Sequence, residues 1–142
     1  MLAGQHPGAS GAGVYIIMTQ LNAWQLIALS GLSMVALGAF GAHGLADRLD
    51  AFSLNAWESA VHYQAFHTLA AMALLLRRER RPLSGQRITL WLWGAGTLLF
   101  SGSLYALTLG APAIMGPVTP VGGALLMAGW IALLITERRA HS

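Results

Sequence analysis

Glu58 and His62 stand four residues apart, as do Tyr63 and His67, and the uncharged run from Ser59 to Leu76 carries three of these four. On a helix that spacing puts each pair on one face, one turn apart. The first face offers a carboxylate beside an imidazole, suited to proton transfer or metal ligation. The second offers a phenol beside an imidazole, suited to hydrogen bonding. The two faces lie about 140° apart around the helix, so His62 and His67 do not converge on one metal ion. A three-ligand centre would instead draw His43 from an earlier segment together with Glu58 and His62. Gln64 adds a carboxamide, and Ser101, Ser103 and Tyr105 offer hydroxyls from a later segment. The chain has no cysteine, which removes disulfides, thiolate zinc sites and thiol catalysis. It also has no Ser-His-Asp arrangement, Walker loop, dinucleotide fingerprint or HExxH pattern, and its only Asp residues, Asp47 and Asp50, sit in a short link. No enzyme of a familiar class is expected, and no catalytic residue is assigned.

The elements that must position these side chains follow from composition. Of 142 residues, 56% are hydrophobic and only 9% charged, and the mean hydropathy is +0.59. Soluble domains carry roughly 25% charged residues, so an ordinary soluble fold is excluded. A net charge of +3 and a pI near 10.2 would invite a nucleic-acid reading. Such a binder needs a basic face on a folded surface, whereas the arginines here occupy loops and ends; nucleic acid is not an expected partner.

The charges fall in clusters, and the stretches between them predict an all-α membrane protein, a bundle of four transmembrane helices over about 21–44, 54–76, 88–109 and 118–136. Each is close to or above the ~20 residues that cross ~30 Å of hydrocarbon. Ser53 or Asn55 can cap the second span. RRERRPLSGQR, Arg77 to Arg87, reads as a loop, since it cannot enter lipid and contains Pro82 and Gly85. Gly110, Pro112, Gly116 and Pro117 divide the long uncharged tract that follows into two helices. Residues 1–19, rich in glycine and without Lys or Arg, predict a disordered tail rather than a signal peptide. Met18, directly before the first expected helix, offers itself as the true start, with residues 20–142 as the transmembrane domain.

Five arginines in the second loop and two at the C-terminus, against one in the first loop and none in the third, place both termini and the basic loop in the cytoplasm. Trp24, Trp91 and Trp93 then fall near the inner membrane surface as an aromatic belt, and Trp130 lies deeper as packing. The arginine run also offers attraction to anionic lipid, although its ordinary role is to set topology. Glycines recur in the first, third and fourth spans and predict close helix approach, which packs helices where lipid supplies no hydrophobic drive. With a rise of 1.5 Å per residue from the centre near His67, His62 lies roughly 8 Å and Glu58 roughly 13 Å outward, and Tyr105 roughly 10 Å outward in its own span. His43 falls near the same leaflet. Ionisable groups at such depth are candidate sites by default, but a neutral imidazole bonded across the bundle is the commoner outcome.

Four ordered motifs carry a family resemblance: GAFGAHGL at Gly38 to Leu45, then Trp57, Ala60, Val61, Tyr63, Gln64 and His67, then FSGSLYAL at Phe100 to Leu107, then TPVGG at Thr119 to Gly123 with Gly129 and Trp130. Across about Trp24 to Arg138 the chain resembles the domain of unknown function 423 family, whose eukaryotic relatives are called transmembrane protein 256. The resemblance implies a small multi-pass protein, in bacteria of the inner membrane, with no established activity. His43, Tyr63, Gln64, His67, Ser101 and Tyr105 fall on the family's motifs; Glu58 and His62 do not. A shared site, if the family has one, is therefore expected at His43, Tyr63, Gln64, His67 and Tyr105, with Glu58, His62 and Ser101 as weaker candidates. The leading expectation is a non-enzymatic structural or accessory membrane component without a cofactor. The alternative is a binding or transport protein whose polar cluster holds a proton, metal ion, haem or small solute. The expected partner is the lipid bilayer, with room for a homo-oligomer or a membrane-protein partner.

Overall fold

The structure, a computed structural model, describes the backbone of residues 9–141 and the side chains of residues 22–140. It contains four long helices: α1 Ala9–Phe40, α2 Ala51–Arg80, α3 Ser84–Thr108 and α4 Val118–His141. A wide π-helical turn, Gly41–Leu45, closes α1, and a short 3-10 turn, Ala113–Met115, precedes α4. Three stretches, Asn22–Leu45, Ser84–Thr108 and Ala113–Ala140, are long and apolar enough to cross a membrane. α2 is not among them. It supplies the buried polar side chains Gln64, His67 and Thr68, and it packs against both α1 and α3, so its inward face meets protein and need not be apolar.

The helices overrun their expected bounds. α1 begins at Ala9, so 9–19 is helical where a disordered tail is expected; residues 1–8 lie outside the described part. From Gly8 onward no proline interrupts the segment, and the backbone bonds of the span propagate upstream at little further cost. The expected loop Arg77 to Arg87 is also mostly helix, with only Arg81, Pro82 and Leu83 between α2 and α3. Arg and Glu cannot enter lipid, but they are good helix formers, and arginines in the last turn of α2 complement its dipole. Pro82 stops α2 by forcing the residue before it into extended backbone, as Arg81 adopts (φ −144°, ψ 86°). At the other end Asp50, rather than Ser53 or Asn55, caps α2: its Oδ1 accepts from the Ser53 N–H at 2.8 Å. Between α3 and α4, Gly110 turns the chain with φ +95°, which favours glycine.

α3 and α4 form the tightest pair, α2 lies on α3, and α1 lies on α2. The α3–α4 approach is set by glycine. A Cβ at Gly122 would run into the backbone of Phe100, and one at Gly96 would come within 2.7 Å of Leu126. Not every glycine serves this purpose, since Gly31, Gly94 and Gly102 face open space. Leu74, Trp93 and Leu126 form the central apolar cluster. Trp93 is therefore core rather than interfacial; Trp91, two residues earlier, is 73% exposed, as a belt residue must be.

Side-chain bonds fix which helix ends lie together. Trp24 Nε1 donates to Glu79 Oε1 at 2.9 Å, Arg77 pairs with Glu137, and Arg81 donates to the carbonyl of Ala140 at 2.8 Å. The start of the apolar part of α1, the ends of α2 and α4 and the start of α3 thus share one end. Seven arginines (77, 78, 80, 81, 87, 138 and 139) lie there, and only Arg48 lies at the other.

Candidate functional site

Gln64 is the junction of the polar residues. It is buried in the middle of α2, and every part of its carboxamide is engaged. Nε2 donates to Ser33 Oγ at 2.8 Å and to the carbonyl of Ser30 at 3.1 Å, both on α1. Oε1 accepts from the Tyr105 hydroxyl of α3 at 2.9 Å. One turn further along α2, Thr68 meets Ser30 hydroxyl to hydroxyl at 2.6 Å. One turn back, the carbonyl of Ala60 accepts from Ser101 Oγ at 2.8 Å, joining α2 to α3 again. Ser103 turns to Thr119 of α4 at 2.7 Å. The hydroxyls of α3 are thus directed to Gln64, to a backbone carbonyl and to α4, and His67 finds its partner elsewhere.

That partner is Trp130. An indole N–H can only donate, so in the contact between Trp130 Nε1 and His67 Nε2 at 3.2 Å the imidazole nitrogen accepts. His67 Nδ1 then carries the proton and donates to the carbonyl of Tyr63 at 2.9 Å. Both ring nitrogens are occupied, and a metal ion at Nε2 would have to displace the indole. The ring is enclosed by Tyr63, Phe66, Trp93 and Trp130, with centroids 5.4 to 6.2 Å away. Trp93 Nε1, buried beside this cluster, has no hydrogen-bond partner among the described residues.

Tyr105 also leans on Trp57, ring to ring at 4.6 Å, and Trp57 Nε1 donates to the carbonyl of Leu37 at 2.9 Å. Trp57 can lie this close to α1 because residue 41 is glycine; a Cβ there would come within 2.6 Å of the indole. The motif at the end of α1 therefore seats a tryptophan, with the wide π turn beside it. His43 projects outward from that turn and is exposed.

Of the candidate cluster, the structure joins Gln64 to Tyr105 and His67 to the backbone of Tyr63, whose ring is 47% exposed and lies on Phe100 at 4.6 Å. His43 stands apart. Glu58 and His62 are exposed, and among the described residues no three His, Asp or Glu side chains come close enough to hold a metal ion. The three-ligand centre of His43, Glu58 and His62 does not form, because the shared depth of these residues does not bring their side chains onto one inward face. Four partners escape the sequence reading. Ser30, Ser33 and Thr68 are signalled only by their helical spacing to one another and to Gln64, and Trp130 reads as packing because nothing in the chain ties it to a histidine 63 positions away.

The family model described as a protein of unknown function (DUF423) matches residues 37–123, the stretch that holds all these interhelical bonds except those of Ser30, Ser33 and Trp130. A UPF0382 membrane protein of Haemophilus influenzae is 46% identical over 117 residues, covering 82% of this chain and 94% of its own. The UPF0382 inner membrane protein YgdD of Escherichia coli K12 is 43% identical over 114 residues, 76% of this chain and 82% of its own. A UPF0382 membrane protein of Schizosaccharomyces pombe is 40% identical over 122 residues, 81% of this chain and 100% of its own. No solved structure matches the chain. With apolar helices of spanning length and these relatives, the chain is an inner-membrane protein and belongs to the DUF423 family.

Proposed function

We propose that this protein is a non-enzymatic structural or accessory component of the inner membrane, a four-span bundle whose intramembrane polar residues bind its own helices together and hold no cofactor. The observation that carries this reading is Gln64, whose donors and acceptor are all taken by α1 and α3. His67 supports it, with both ring nitrogens bonded inside the chain. A metal ion or haem needs a free ring nitrogen and an anionic solute a free donor, and His67 and Gln64 at the centre of the cluster leave neither.

α2 completes the set of spans in this reading. Its 30 residues rise about 45 Å, more than the ~30 Å hydrocarbon core, and its polar centre is covered by α1 and α3. The arginine-rich end, where Trp24 of α1 and the last turn of α4 lie, is then cytoplasmic by the positive-inside rule. The partners are the bilayer and a second copy or another membrane protein, for which the outer side of α1 (Leu26, Leu29, Leu32 and Val35, each at least 61% exposed) is the available face. The absence of native cysteine makes the arrangement directly testable. Asp47→Cys and Ala113→Cys should react with a membrane-impermeant maleimide in intact cells, and Arg80→Cys only after the cells are opened. Labelling of Arg80→Cys in intact cells would overturn the orientation, and labelling of only one of the other two would overturn the count of four spans.

A further inference from the structure

The arginine-rich end carries a cleft that the polar network does not use. It has a volume of about 470 Å³ and is lined by Arg78 from the end of α2, by Pro82 and Leu83 of the link, and by Ser84, Arg87, Ile88 and Trp91 of α3. Among the described residues its two arginines meet no carboxylate. Both acidic residues at this end are engaged elsewhere, Glu79 with Trp24 and Glu137 with Arg77. Arg78 lines the cleft, and its Nε is buried with no hydrogen-bond partner among the described residues. The opening turn of α3 adds backbone N–H groups with no acceptor in their own helix.

The apolar part of the cleft is as informative as the charged part. Ile88 is 58% and Trp91 73% exposed, and Leu98, 74% exposed, continues one flank of α3 toward the membrane centre. An indole at the mouth of a cationic cleft marks the interface between headgroups and acyl chains. A free anion would use only the arginines; a molecule with a phosphate and a long apolar chain would use both features.

We propose that this cleft is a binding site for one anionic phospholipid, its phosphate held between Arg78 and Arg87 and an acyl chain lying along Ile88, Trp91 and Leu98. Guanidinium groups suit this task because their forked donors match phosphate oxygens. The proposal goes beyond the scaffold role and does not depend on it, since a scaffold with no specific lipid would have the same polar network.

The test is native mass spectrometry of the full chain in detergent, titrated with phosphatidylglycerol and, separately, with phosphatidylcholine. The wild type should retain a single phosphatidylglycerol saturably and bind phosphatidylcholine at least tenfold more weakly. Arg78→Gln and Arg87→Gln should each weaken phosphatidylglycerol binding by roughly fivefold, the effect of one basic residue near a charged headgroup. Arg87→Lys should retain more binding than Arg87→Gln, and Arg80→Gln, outside the cleft at the same end, should change it less than twofold. If Arg78→Gln fails to fold, the exposed Arg87 pair carries the test. Equal losses in Arg80→Gln and Arg87→Gln would overturn the proposal in favour of diffuse surface attraction. Displacement of phosphatidylglycerol by inorganic phosphate, at an ionic strength where chloride has no effect, would overturn it in favour of a free-anion site.

Discussion

Gln64 joins three helices through one carboxamide, and interhelical hydrogen bonds in membranes contribute about 0.6 kcal/mol each. Gln64→Leu should therefore destabilise the detergent-solubilised protein by about 1–2 kcal/mol, and Tyr105→Phe, which removes one of those bonds, by about 0.6 kcal/mol. Thermal unfolding followed by circular dichroism checks both, and an unchanged Tm for Gln64→Leu would remove Gln64 from its central place. His43, exposed on the π turn, should tolerate alanine within about 0.5 kcal/mol, as surface positions do. At this scale the sequence was legible where partners are neighbours on one helix: Tyr63 and His67, four apart, do meet. It was not legible where a partner comes from another helix. Which hydroxyl faces Gln64 and which indole faces His67 depends on helix rotation, and several residues of each type compete for every site.

Helix ends and helix contacts set the next scale. The Asp50 carboxyl is held below its ordinary value of 3.8, first by the backbone hydrogen bond from Ser53. A carboxyl whose folded value is depressed adds stability above its unfolded value and loses it as the pH falls through the folded one. The start of α2 should therefore fray on acidification below about pH 4, seen as faster amide exchange at Ser53 and Leu54. Asp50→Asn, which keeps an acceptor without the charge, should flatten that pH dependence. Against Phe100, Gly122→Val should push α3 and α4 apart and destabilise by about 1–3 kcal/mol, whereas Gly94→Ala, in open space, should leave Tm unchanged or raise it. The number of helices and the breaks between them were readable from charge clusters and prolines. Their lengths were not, because hydropathy marks where lipid ends, while hydrogen bonding carries a helix of Arg and Glu on into water. Equally, composition marks glycine as packing in general but not which glycines face a neighbour.

For the whole molecule, composition alone is enough to exclude a soluble fold, and the order of charges along the chain already gathers seven of the eight arginines at one end of the bundle. What composition could not convey is that the most polar helix sits between two others, so that Gln64, His67 and Thr68 at its centre are directed inward and bonded. The claim that unites residue, element and molecule is that these intramembrane polar residues hold the helices together and hold no cofactor. It is tested most directly by the metal content and visible absorption spectrum of the purified protein, wild type beside His43→Ala and His67→Ala. The account predicts no stoichiometric metal and no haem band in any of the three, with a lower Tm for His67→Ala alone. Stoichiometric metal or haem in the wild type that is lost in His67→Ala would contradict it.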